Sequence, residues 1–74
     1  MDRNSEIRMK RRILRELYGG TMTCNELRKE IGGSYDFCRR WALEHGLAVR
    51  IGDKIRYDVD ALAVVLVDLK EEKP

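Results

Sequence analysis

The stretch Thr23 to Tyr57, TCNELRKEIGGSYDFCRRWALEHGLAVRIGDKIRY, changes its apolar period part-way along, and its reading decides the fold. Thr23 followed three residues later by Glu26 is a capping-box pattern, and Cys24, Leu27 and Ile31 then fall on one side of a short helix expected over 24–31. Gly32-Gly33 stops it. Ser34 offers an N-cap oxygen for a further helix over 34–45, and Gly46 stands where a left-handed residue commonly ends one. On a wheel of about 100° per residue, Phe37, Cys38, Trp41, Ala42 and His45 form the expected core side. Asp36, Arg39, Arg40 and Leu43 face the other way, with Tyr35 at the margin.

After Gly46 the period drops to two. Leu47, Val49 and Ile51 alternate with Ala48 and Arg50, then Ile55 and Tyr57 with Lys54, Arg56 and Asp58, which predicts a hairpin over 47–58. Gly52-Asp53 fits a two-residue turn, whereas placing Val49 opposite Tyr57 on one face takes a three-residue loop, Gly52 to Lys54. The second register is expected, because a slip would set Arg56 among apolar partners.

Working outward, Ser5 can cap a helix over 5–18 whose stripe is Ile13, Leu14, Leu17 and Tyr18, extended back by Ile7 and Met9. Its other face carries Arg8, Lys10, Arg11, Arg12 and Arg15, a crowding of like charge that calls for an anionic neighbour. Beyond the hairpin, Asp58 or Asp60 caps a helix over 59–70 with Leu62, Val65, Leu66 and Leu69 in line. Val64 and Val67 lie on its far side, so this helix needs a second packing partner, either the first helix or another copy of the chain. Residues 71–74 are expected to form a flexible tail.

Seventy-four residues make one domain, 1–74, in which each long apolar element is needed for the core. With 43% hydrophobic and 38% charged residues, disorder throughout is excluded. Residues 1–57 hold thirteen Lys and Arg against eight Asp and Glu, and residues 58–74 two against five, so a basic body precedes an acidic end. Such asymmetry points to a polyanionic partner. The longest apolar run, Ala61 to Val67, falls well short of the roughly 20 residues of a membrane helix, and the polar N-terminus is unlike a signal peptide. A cytoplasmic protein without membrane association is expected, with Cys24 and Cys38 as reduced core thiols. One histidine and two separated cysteines supply no zinc site, so no metal or cofactor is expected.

Helix, helix, tight turn, helix and two-stranded wing is the order of a winged helix-turn-helix: mainly α with a β-hairpin. There the third helix enters the major groove of DNA, where arginine reads guanine bidentately. Arg39 and Arg40 are the candidate readers. Tyr35, Asp36 and Leu43 complete the face, Leu43 meeting a thymine methyl and Ser34 or the helix N-terminus holding a phosphate. The wing contributes Arg50, Lys54 and Arg56 to phosphates or the minor groove. Arg8, Arg11, Arg12 and Arg15 are candidates for further backbone contacts.

Residues 31–66 resemble the excisionase branch of small winged-helix proteins, relatives of the mercury-resistance-type regulators. The matching residues are Ile31-Gly32 and Ser34 at the turn, Arg40-Trp41 in the third helix, Val49-Arg50-Ile51-Gly52 and Arg56-Tyr57 in the wing, and Ala61-Leu62 in the closing helix. The resemblance implies a protein of a phage or mobile element that binds DNA beside an integrase in recombination, or a related transcription regulator. Four departures accompany it. A full basic helix precedes the motif, the third helix is one residue longer between Trp41 and Gly46 than the excisionase pattern, Arg28 stands where the family usually has alanine, and Gly33 replaces a small apolar residue.

A domain this small reads a short site, so useful affinity calls for a homodimer or cooperative neighbours, with Val64 and Val67 as the candidate contact. Trp41 at helical spacing from Phe37 and Cys38 is read as core, and His45 as a helix-end residue. Asp36 and Glu44 have no polar cluster to support acid–base catalysis, so no enzyme is expected. A second class stays open: a protein-interaction adaptor docking through Leu43, Tyr35 and the outer face of the last helix.

Overall fold

A computed structural model describes residues 2–71. It contains four helices, α1 (Arg3–Tyr18), α2 (Cys24–Ile31), α3 (Tyr35–Glu44) and α4 (Val59–Glu71), with three short strands, β1 (Thr21–Met22), β2 (Ala48–Ile51) and β3 (Lys54–Asp58). The chain is therefore mainly helical around a small antiparallel sheet of order β1-β3-β2.

Helix boundaries follow the capping chemistry. α1 starts three residues earlier than a Ser5 cap would have it, because Asp2 is the N-cap and its carboxylate accepts from the Ser5 amide at 2.7 Å. At α2 both halves of the capping box are made: Thr23 Oγ1 accepts from the Glu26 amide, and Glu26 Oε1 accepts from the Thr23 amide. Ser34 caps α3 through the Phe37 amide, and Gly46 turns out of it at φ +69°. Between Asp58 and Asp60, Asp58 is the residue that caps α4, accepting from the Ala61 amide. Glu71 closes α4 where a tail was expected; the remainder of that tail lies outside the described residues.

The sheet departs from expectation in strand number and register. Ala48 pairs with Tyr57, Val49 with Arg56, Arg50 with Ile55 and Ile51 with Lys54, so the hairpin turns through the two residues Gly52-Asp53. The three-residue loop is wrong. Its premise, that Val49 and Ile51 face the core, fails because a third strand sets the faces: Met22 of β1 pairs with Tyr57, and both are buried. Since opposed residues share a face, Met22, Tyr57, Ala48, Arg50 and Ile55 lie on the core side, and Thr21, Val49, Ile51, Lys54, Arg56 and Asp58 on the other. Arg56 avoids the feared apolar surroundings by donating to Thr21 Oγ1 at 3.2 Å and to the Thr21 carbonyl. β1 escaped the sequence reading because two residues show no periodicity.

Leu14, Met22, Leu27, Cys38, Ala42, Leu47, Tyr57, Val59, Leu62 and Ala63 close over one core, with Tyr18, Ile31 and Trp41 packed at its edge. Phe37 and His45 are not in it. Phe37 is 49% exposed and leans over Gly33, where an added Cβ would stand 2.7 Å from its ring. Gly33 also holds φ +87°, so the α2–α3 turn takes glycine for conformation and for room. His45 lies against Trp41 with ring centroids 4.5 Å apart.

α4 meets its second partner within the chain. Val67 is buried at 5% exposure, and Val64 lines a small pocket with Ile7 and Arg11 of α1. These two valines, expected as a contact between copies, pack toward α1. α1 spends only Ile7 and Leu14 on full burial, while Met9, Ile13 and Leu17 of the expected stripe stand at 51%, 49% and 62% exposure.

Candidate nucleic-acid interface

α3 is seated by Cys38 and Ala42, and its helical period sorts the remaining side chains onto separate sides. Asp36, Arg40 and Leu43, at spacings of four and three, form the pole opposite the core; all are exposed, Leu43 at 66%. Tyr35 and Arg39 are exposed as well. Burial raises the pKa of the Tyr57 phenol, and the Arg39 charge lowers it. β3 itself packs on α2 and α4, contacts that the period-two pattern did not reveal.

Arg50 occupies the sheet face of Tyr57, two residue pairs closer to the turn, and its Nε donates to the Gly52 carbonyl at 3.3 Å. Lys54 and Arg56 belong to the other face, Lys54 exposed beside the turn and Arg56 held by Thr21. The three cations expected on the wing are therefore divided by the register. Arg28 is exposed and donates through Nε to the Gly33 carbonyl at 3.3 Å. It clasps the α2–α3 turn from outside and leaves the helix contact to Cys24, Leu27 and Cys38.

The basic face of α1 finds its anionic neighbour in α4. Arg15 makes a bidentate pair with Asp60 at 2.7 and 2.6 Å, with Arg11 at 3.6 Å from the same carboxylate. Arg3 makes a second bidentate pair with Asp68, and Arg12 lies 3.9 Å from Glu16. The acidic C-terminal part of the chain thus serves the chain's own arginines. Arg8 lies exposed near the Asp2 carboxylate that caps its helix. Tyr18 ties α1 to α2 by donating its hydroxyl to Glu30 at 2.6 Å; that bond, with burial, pushes its pKa up to about 12.

These pairs set a pH dependence. The Arg15 hydrogen bonds and charge, helped by Arg11, hold the Asp60 carboxyl below its ordinary 3.8, and Arg3 does the same for Asp68. A carboxyl depressed on folding contributes stability that is present above its unfolded pKa and lost as pH falls through the folded one. The thermal midpoint of the wild type is expected to fall on acidification below about pH 4. Asp60→Asn should lower the midpoint at neutral pH and flatten that acid limb; an unchanged limb in a melting series would show that the pair does not stabilise the fold.

Among the described residues no group of three or more His, Cys, Asp and Glu side chains is placed to hold a metal ion, and no helix is long and apolar enough to cross a membrane. Cys24 and Cys38 are unpaired thiols; Cys38 donates to the Gly32 carbonyl, and burial raises its pKa. Comparison with protein-family models, curated proteins and solved structures returns no match.

Proposed function

We propose that this chain is a winged helix-turn-helix that binds double-stranded DNA sequence-selectively, with α3 as the reading helix and the β2–β3 hairpin as the wing. The observation that carries the reading is a contrast in how the arginines are used. Arg3, Arg11, Arg12 and Arg15 of α1 are spent on carboxylates of the same chain, whereas Arg39 and Arg40 enter no ion pair or hydrogen bond among the described residues. Unpaired guanidiniums on an exposed helix pole, beside an apolar Leu43, suit a groove whose base edges offer acceptors and thymine methyls. Arg50 and Lys54 near the hairpin turn can reach phosphates on either side of it.

In this reading Arg3, Arg11, Arg12 and Arg15 are committed to carboxylates within the chain, and Arg8, which makes no ion pair among the described residues, remains the α1 candidate for a backbone contact. The role is that of a transcription regulator or an excisionase-type directionality factor acting with an integrase. An adaptor function is favoured by a different observation, the exposure of Tyr35, Phe37 and Leu43 together on α3. One experiment separates them. In an electrophoretic shift with mixed-sequence duplex, a DNA-binding chain is retained at low salt and released as salt rises, because neutralised phosphates give up counterions. An adaptor shows no salt-sensitive retention, and that result would remove the DNA reading.

A further inference from the structure

The α1 and α4 helices enclose a groove of about 510 Å³ lined by Met9, Ile13, Leu66 and Val67, with Glu6, Lys10, Glu30 and Lys70 around its rim. We propose that this groove is the surface through which two copies of the chain associate, with Met9 and Ile13 of its lining, and Leu17 one turn further along α1, as the anchors that become buried. The inference stands on the groove alone and does not depend on DNA binding.

Met9, Ile13 and Leu17 recur every four residues on one side of α1 and are each about half exposed or more, as an amphipathic helix awaiting a second surface would be. The rim identifies the occupant. A two-fold contact places one patch against itself, so each charge must find its opposite within that same patch. This rim holds two lysines and two glutamates, and Glu6, Lys10 and Lys70 enter no ion pair among the described residues, in contrast to the arginines of α1. A partner of single charge sign, nucleic acid included, would leave half of the rim unmatched.

The location is also compatible with two working copies. α1 packs on α4 while α3 packs on α2, so a second molecule in the groove leaves the exposed pole of α3 uncovered. Sixteen residues of α1 give a face roughly 24 Å long and, with α4 beside it, about 20 Å wide. That face, roughly 480 Å², is below the about 800 Å² per partner of a standard stable interface, so the association is a weak one. The dimer should therefore dissociate on dilution.

Sedimentation equilibrium of the full chain without DNA is expected to show a monomer–dimer equilibrium. Ile13→Glu should weaken it by about tenfold or more while circular dichroism shows the helices retained. Lys10→Glu should weaken it too, and Glu6→Lys combined with Lys10→Glu, which keeps the rim neutral, should recover part of the loss. A strictly monomeric wild type overturns the proposal and assigns the groove to a helix from another protein. A folded Ile13→Glu variant that associates as well as wild type also overturns it, as does a double variant no better than Lys10→Glu alone.

Discussion

If α3 is the reading helix proposed, Arg40→Ala is expected to reduce discrimination between duplexes by about 1 to 3 kcal/mol in a competition between a preferred site and a mixed sequence. Arg40 stands on the pole of α3 farthest from the core and forms no ion pair within the described chain, so its removal leaves no buried group unpaired. Any loss then reports on the partner. Arg39, exposed one position earlier on the same helix, should show part of the same effect, mixed with phosphate contact. Lys54→Ala is the control, because an exposed lysine beside the turn has a phosphate as its natural partner. It should weaken all duplexes alike and reduce the slope of log affinity against log salt by about one unit. Equal losses on every sequence for Arg40→Ala and Lys54→Ala would show that α3 neutralises phosphates without reading bases.

Leu14→Ala is expected to destabilise the fold by about 3 kcal/mol, within the range for a leucine deleted from a closed core. Leu14 is wholly buried and is α1's entry into the core, where Leu62 and Leu27 are also wholly buried. A chain of this size has on the order of 4 to 11 kcal/mol of total stability, so the variant should melt about 12 to 24 °C lower. Leu17→Ala provides the contrast. Leu17 belongs to the same apolar stripe in sequence yet is 62% exposed, and at a dilution where copies are separate its loss should stay within about 0.5 kcal/mol. Similar losses for the two leucines, measured by denaturant unfolding, would mean that α1 is rotated from the orientation described.

Local chemistry made much of the molecule legible. Thr23 with Glu26, Ser34 with its helix, and the glycines at 32–33 and 46 each act within a few residues, so α2 and α3 could be placed closely from the chain alone. The exposed pole of Asp36, Arg40 and Leu43 follows from the helical period once Cys38 and Ala42 are taken as buried. Errors gathered where a distant element intervenes. The hairpin register turned on β1, whose Met22 arrives across Tyr57 from more than thirty residues upstream. Phe37 and Trp41 share an apolar pattern, yet the bare backbone of Gly33 gives Phe37 an outside seat that a hydrophobicity wheel does not display.

Electrostatics divided in the same way. The uneven distribution of charge along the chain is a property of composition, but its use is not. An acidic C-terminal part beside a basic N-terminal helix could equally have repelled the same polyanion or been neutralised by another molecule. Only the antiparallel packing of α4 on α1, which sets Asp60 beside Arg15 and Asp68 beside Arg3, decides that the charges cancel internally and leaves Arg39 and Arg40 unpaired. The sequence by itself determined α2 and α3 with their caps and the period of the hairpin strands, because those depend on neighbours within one or two turns. Tertiary structure alone decided the strand faces, the exposed stripe of α1 and which cations remain available, because each depends on contacts between residues dozens of positions apart.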